Sequence, residues 1–186
     1  MVIFIKPTNN SFWVTLMVIL LSDRKNRCEK EITEILTGVG ANYISDKAVF
    51  SGTEQITIIS SYKKTDLKMK KGIALILDDT KRFSGQTFPQ GFIGICEDCN
   101  QKALELFSKS RIPVISCGMG AKNTITLSSI NSETLLTTLQ RTVTDINGNE
   151  IEPEEFKIKL KKEYLPFSVM ASVAVMLLCG VIPTDI

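Results

Sequence analysis

The chain has 186 residues, of which 44% are hydrophobic and 23% are charged, and its formal net charge is +2. These values suit one soluble domain with a substantial core, and the nearly balanced charge provides no basic field for binding nucleic acid. The absence of histidine excludes Ser-His-Asp and Cys-His nucleophile pairs. The number of cysteines is five, which argues against a secreted disulfide framework, so we expect a cytoplasmic protein.

The first two thirds of the chain alternate between apolar runs and amphipathic segments. In chain order they predict a strand at Val14–Leu21, a helix at Arg27–Thr37, strands at Tyr43–Phe50, Gln55–Ser60, Gly72–Leu77 and Phe92–Ile95, a helix at Asn100–Ser108 and a strand at Val114–Ser116. Such alternation indicates an α/β fold, with a mostly parallel sheet and helices on both of its faces.

The pattern changes after Thr124. Asn147-Gly148 is a strong hairpin turn signal, and Phe156, Ile158 and Leu160 alternate with lysines as in a half-exposed strand. We therefore expect a small C-terminal antiparallel hairpin and a closing apolar helix, all within a single domain that covers residues 1–186.

The segment Tyr164–Thr184 carries no charged residue before Asp185 and follows Lys161-Lys162. Its length would allow a C-terminal membrane anchor with basic residues on the cytoplasmic side. A buried helix is the alternative that we favour, since Ala171, Ser172 and Ala174 would let it pack closely against other elements. Membrane association is thus the less favoured interpretation, and a C-terminally membrane-anchored accessory protein is kept as an alternative function.

Several residues that can bind ligands follow the predicted strands. Ligands of open α/β sheets bind outside the carboxyl ends of the strands. The ligand-binding residues that we predict there are Asp78, Asp79, Cys96, Asp98, Gly118, Gly120 and Lys122.

Two of these groups have more than one interpretation. Asp78-Asp79 could hold a magnesium ion, although a helix cap and solvated turn is the more common use of such a pair. Gly118–Thr124 is not a nucleotide phosphate loop, because Ala121 separates Gly120 from Lys122 and no glycine stands at the required spacing before them. Its glycines and Lys122 still suit an anion-binding turn.

The cysteines Cys96, Cys99 and Cys117 fall near the same strand ends. Cys96 and Cys99 form a Cys-x-x-Cys motif at the start of a helix, which is typical of redox pairs. The negative charges of the intervening Glu97 and Asp98 disfavour a thiolate. Three thiols without a fourth ligand make weak evidence for structural zinc. A thiol-dependent enzyme or redox protein thus remains an alternative function, and we predict no metal site.

Three segments together resemble the central, ATP-binding domain of the Mur ligases, which join amino acids to peptidoglycan precursors. Ile95–Asp98 stands where that family has an Asn-x-Asp motif after a strand, with its Asp kept as Asp98. Val114–Gly118 is similar to the family's next strand, which ends in glycine. Val169–Val181 resembles its alanine-rich helix that ends in Leu-Gly-Ile, and the Asn that opens that helix would fall near Ser168.

The chain also departs from the family at the residues that catalysis requires. The family's phosphate loop follows the first central strand, but Leu21–Asn26 contains no glycine to supply flexible amides for a triphosphate. The family's metal-binding Glu and His positions have no match. The resemblance therefore implies a non-catalytic, single-domain relative, linked to cell-wall metabolism, which binds a protein partner or a small anionic ligand and whose cofactor, if it has one, is unknown.

Overall fold

The computed structural model describes residues 16–21, 27–77, 83–130, 134–183 and 186. The strands are β1 (Leu16–Leu21), β2 (Asn42–Ile44), β3 (Val49–Phe50), β4 (Ile56–Ser61), β5 (Lys71–Ile76), β6 (Gly91–Glu97), β7 (Val114–Cys117), β8 (Ile125–Ile130), β9 (Thr134–Leu139), β10 (Val143–Thr144), β11 (Glu150–Ile151) and β12 (Glu154–Lys159). The helices are α1 (Arg27–Gly38), α2 (Gln101–Ser110) and α3 (Pro166–Leu178).

Ten of these strands form one sheet in the order β12-β9-β8-β7-β6-β5-β1-β4-β2-β3. Its centre, from β2 to β8, is parallel, whereas β3, β9 and β12 are antiparallel to their neighbours. The central strands are apolar on both faces, as strands covered by helices on both sides must be. The predicted α/β fold with a mostly parallel sheet is confirmed, and the carboxyl ends of β5, β6 and β7 meet at one edge.

The helices lie on both faces of the sheet, as predicted. Ile73 and Leu75 of β5 pack in a core with α1 and α3, whereas Ala74 and Ile76 pack in a second core with α2. Because successive strand residues point to opposite faces, this alternation places α2 across the sheet from the other two helices.

The apolar run near the C-terminus forms α3, in which every residue after Pro166 is buried. The helix packs against α1 and against β6, β7 and β8. The buried-helix interpretation is thus confirmed, and small residues such as Ala171 and Ala174 allow the close packing that it requires. Within the described residues, no helix is both long and apolar enough to cross a membrane.

The sheet differs from the sequence prediction near its edges. Tyr43–Phe50 is not one strand but the antiparallel pair β2 and β3, because the Ser45 hydroxyl accepts hydrogen bonds from the amides of Lys47 and Ala48 and closes a turn. Strand β9, which the sequence prediction lacks, lies between β8 and β12 and joins β12 to the rest of the sheet. The expected turn at Asn147-Gly148 is present between β10 and β11, with Gly148 at a φ of 96°.

Candidate functional site

The carboxyl ends of the parallel strands border a crevice of about 660 Å³. Its described lining is Leu77 after β5, Glu97 and Asp98 at the end of β6, Gly118, Met119 and Gly120 after β7, Cys28 of α1, and Leu165, Pro166, Phe167 and Met170 at the start of α3. The structure therefore brings Asp98, Gly118 and Gly120 together at the edge where ligands of this fold class bind.

Asp98 is held at the mouth of this crevice by a neighbouring loop. Its Oδ2 atom accepts a hydrogen bond of 2.7 Å from Nδ2 of Asn123, and its amide donates to the carbonyl of Cys117. The carboxyl group remains exposed to solvent, so it has further lone pairs for a ligand. Asn123 was not among the predicted site residues, and only its place in the glycine loop could have drawn attention to it.

The two glycines of the loop have different environments. A Cβ atom at Gly118 would lie 2.5 Å from Oδ2 of Asp98 and 2.5 Å from Nδ2 of Asn123, so only glycine leaves room for that hydrogen bond. A Cβ atom at Gly120 would lie 3.7 Å from its nearest neighbour, which is ordinary contact. The amide of Gly118 already donates to the carbonyl of Ile125 and is not free to bind an anion.

Lys122 belongs to the same loop but does not line the crevice. Its side chain is exposed, and its carbonyl accepts a 2.7 Å hydrogen bond from Nη2 of Arg141. The described lining therefore contains the carboxylates of Glu97 and Asp98 and no lysine or arginine. Asp78 and Asp79, the remaining pair of predicted ligand-binding residues, lie outside the described residues.

The three cysteines do not share one site. Cys96 packs in the core beside α2, Cys117 packs in the core beside α1 and α3 on the opposite face, and Cys99 is exposed. Burial, together with the neighbouring Cys99 and Asp98, raises the pKa of Cys96 to about 12. Burial also raises the pKa of Cys117 well above its ordinary value. Among the described residues, no group of three or more cysteine, aspartate and glutamate side chains could hold a metal ion.

The start of α3, which forms one wall of the crevice, is fixed by α1. Oε2 of Glu31 accepts a 2.9 Å hydrogen bond from the amide of Leu165, and Oε1 accepts one from Arg27. Burial alone would raise the pKa of Glu31, but the hydrogen bonds from the Leu165 amide and from Arg27 outweigh it and lower the pKa. Sequence reasoning missed Glu31, because its partner is far away in the chain.

A scan against protein-family models and a search of curated proteins found no match to this chain. The fold and the site define an α/β domain with a crevice at the carboxyl ends of its parallel strands. Among the described residues, two carboxylates and an apolar wall border this crevice. The resemblance to the Mur ligase central domain stays a prediction from the sequence.

Proposed function

We propose that this protein is a non-catalytic relative of the Mur ligase central domain, which binds a protein partner at the strand-end crevice and acts in cell-wall metabolism. The crevice is the observation that carries the proposal, because it occupies the position at which this class of sheet binds its ligands. The missing glycines in Leu21–Asn26 support binding without ATP-dependent ligation.

The lining of the crevice favours a protein partner over a small anion. Glu97 and Asp98 offer acceptor oxygens, which suit a ligand with N–H, O–H or cationic groups and repel an anionic one. Phe167 and Met170 supply an apolar wall, and Met119 is 66% exposed at the mouth. An exposed, flexible methionine beside an apolar wall is typical of surfaces that bind apolar side chains of another protein.

The thiol-dependent enzyme is not favoured by these observations. A reactive cysteine requires a lowered pKa in an electropositive, accessible setting. Cys96 and Cys117 are buried with raised pKa values, and burial and the adjacent Glu97 raise the pKa of the exposed Cys99. None of the three thiols therefore has the lowered pKa that a reactive cysteine requires.

Partner binding is tested with a matched pair of surface variants. Three forms of the protein are immobilised separately: wild type, Met119→Asp and Ile182→Asp. Each is incubated with an extract of the source cells, and mass spectrometry identifies the proteins that it retains. Ile182 is 76% exposed and follows α3 at the end of the helix remote from the crevice, so it controls for loss of exposed apolar surface. We expect a partner that wild type and Ile182→Asp retain and Met119→Asp does not. Equal retention by all three proteins would contradict binding at the crevice.

The small-ligand form of the proposal has its own test. Wild-type protein is heated with ATP, UDP-sugars or magnesium ions, alone and combined, because a ligand that binds only the native state raises the melting temperature. We expect no rise with ATP. A rise that Asp98→Ala abolishes and Asp66→Ala preserves would show that a nucleotide is the ligand of the crevice instead of a protein.

A further inference from the structure

A second cavity lies at the opposite end of the parallel strands, where β5, β6 and β7 begin. It encloses about 500 Å³. One side is formed by strand residues, among them Phe92, Ile93 and Ile115, and the other by the β10–β11 hairpin, including Val143 of β10 and Ile146 of its turn. Its size and apolar lining are those of a small-molecule site.

The hairpin that closes this cavity is fixed to the rest of the fold. The amide of Ile146 donates to the carbonyl of Leu178 at the end of α3, and Nζ of Lys71 donates to the carbonyl of Ile146. Within the hairpin, Asp145 accepts hydrogen bonds from the amides of Asn147 and Asn149. These bonds join the hairpin to both α3 and β5, so the cavity is preformed.

The polar groups of the cavity favour an anion. Among the described residues that line it, Lys71 and Arg141 are the two cations and Asp145 is the one carboxylate. Asp145 is occupied by the hydrogen bonds of its own turn, which include one from Nδ2 of Asn149. Nη2 of Arg141 is fixed by the carbonyls of Lys122 and Asn123, which leaves its Nε and Nη1 hydrogens for a ligand.

The cavity is elongated across the sheet. Its lining runs from Lys71 at the start of β5 to Thr124 immediately before β8, with Arg141 beside Thr124. Three strand spacings separate these ends, which corresponds to about 14 Å. Lys71 is bonded to the hairpin at the β5 end, and Arg141 keeps its Nε and Nη1 hydrogens for a ligand at the β8 end.

We propose that this cavity binds an elongated apolar molecule that carries one acidic group, with the acidic group at Arg141 and the apolar body between the strand ends and the hairpin. The free N–H groups of this guanidinium can form charge-assisted hydrogen bonds to a carboxylate or sulfonate. The site is independent of the crevice proposed for the protein partner, since the two lie at opposite ends of the strands.

Two probes that differ in one acidic group test the proposal. The first is 8-anilinonaphthalene-1-sulfonate, and the second is N-phenyl-1-naphthylamine, which has the same aromatic body without the sulfonate. Fluorescence titrations compare wild type with Arg141→Gln, Arg141→Lys and Lys47→Gln, the last being an exposed lysine in the turn between β2 and β3. We expect Arg141→Gln to weaken sulfonate binding about tenfold, with a smaller loss in Arg141→Lys and none in Lys47→Gln. The uncharged probe should bind all four proteins equally.

Amide chemical shifts measured by NMR locate the bound probe. The expected perturbations fall on Gly91–Ile93 and Thr142–Gly148, and the spectra also report whether each variant remains folded. The proposal is overturned if the sulfonate binds Arg141→Gln as tightly as wild type. It is equally overturned if the perturbed amides are those of Gly118–Gly120 at the other end of the strands.

Discussion

A carboxylate is held by hydrogen bonds at each end of the parallel strands: Asp145 at the amino end and Asp98 at the carboxyl end. The two differ in the number of hydrogen bonds that they accept and in their exposure to solvent. At the amino end, Asp145 accepts hydrogen bonds from two amides and one side chain and is 8% exposed. At the carboxyl end, Asp98 accepts a bond from Asn123 and remains exposed. The difference indicates that Asp145 stabilises the fold, whereas Asp98 is positioned and still available to bind.

The largest expected effect is at the amino end. We expect Asp145→Ala to lower the free energy of unfolding by about 2–3 kcal/mol, because it leaves the amides of Asn147 and Asn149 without their charged acceptor. Urea denaturation measures the loss. Asp66→Ala is the control, because the Asp66 side chain is 81% exposed and its pairing with Lys68 is worth little. Similar losses in the two variants would contradict a stabilising role for Asp145.

A smaller effect is expected at the carboxyl end. A methyl group at Gly118 would force Asp98 and Asn123 apart, so we expect Gly118→Ala to cost about 1 kcal/mol, the value of one hydrogen bond. The same variant should weaken partner binding at the crevice. Gly120→Ala is the matched control, since its methyl group has room. If both variants behave as wild type in urea denaturation and in partner retention, the Asp98–Asn123 bond has no role in shaping the crevice.

Acidification should sharpen the contrast between the two ends. Burial alone would raise the pKa of Asp145, but the hydrogen bonds from Asn149, Asn147 and Gly148 outweigh it and lower the pKa below the ordinary 3.8. The lowered pKa means that the charged form stabilises the folded state above pH 3.8, and that this stabilisation is lost as the pH falls through the folded-state pKa.

Wild type and Asp145→Asn measure this linkage directly. In urea denaturation from neutral pH down to about pH 2, wild type should be the more stable protein at first, and the difference should shrink towards the acid end. Glu31, whose pKa is also lowered, contributes equally to both proteins. Its contribution therefore cancels when the free energy of unfolding of the variant is subtracted from that of wild type. If the difference in free energy of unfolding between the two proteins does not change with pH, the negative charge of Asp145 does not stabilise the turn.

The sheet could be predicted from the sequence because its central strands follow a strong physical rule. Strands such as β5 and β6, buried on both faces, need unbroken apolar runs, and these are visible in the chain. Strand β9 has neither such a run nor a regular alternation of polar and apolar residues, since Thr137 is buried between Leu135 and Leu139 and Leu136 lies on the more exposed face. The turn between β2 and β3 has no glycine or proline, and its Ser45 contacts only become evident in three dimensions.

The site was predictable in position but not in detail. Parallel topology places Asp98 and Gly118 at one edge, which the order of elements already implies. Which face each thiol occupies depends on register: β6 and β7 pair Cys96 with Ser116 and Glu97 with Cys117, so the two cysteines point to opposite sides. The pairing of Glu31 with Leu165 joins segments far apart in the chain, and the cavity beside Arg141 depends on where the hairpin folds back.

The smallest expected effect concerns the one exposed thiol at the carboxyl end. Burial and the charge of Glu97 raise the pKa of Cys99, so Glu97→Gln should increase its rate of alkylation by iodoacetamide severalfold at fixed pH. Glu105→Gln, an exposed acidic residue of α2, should leave the rate unchanged. Peptide mass spectrometry measures both rates, and native Cys96 and Cys117 should react far more slowly because they are buried. Rapid alkylation of wild-type Cys99 at neutral pH would instead mean that its thiolate is stabilised. The thiol-dependent enzyme would then be the favoured function.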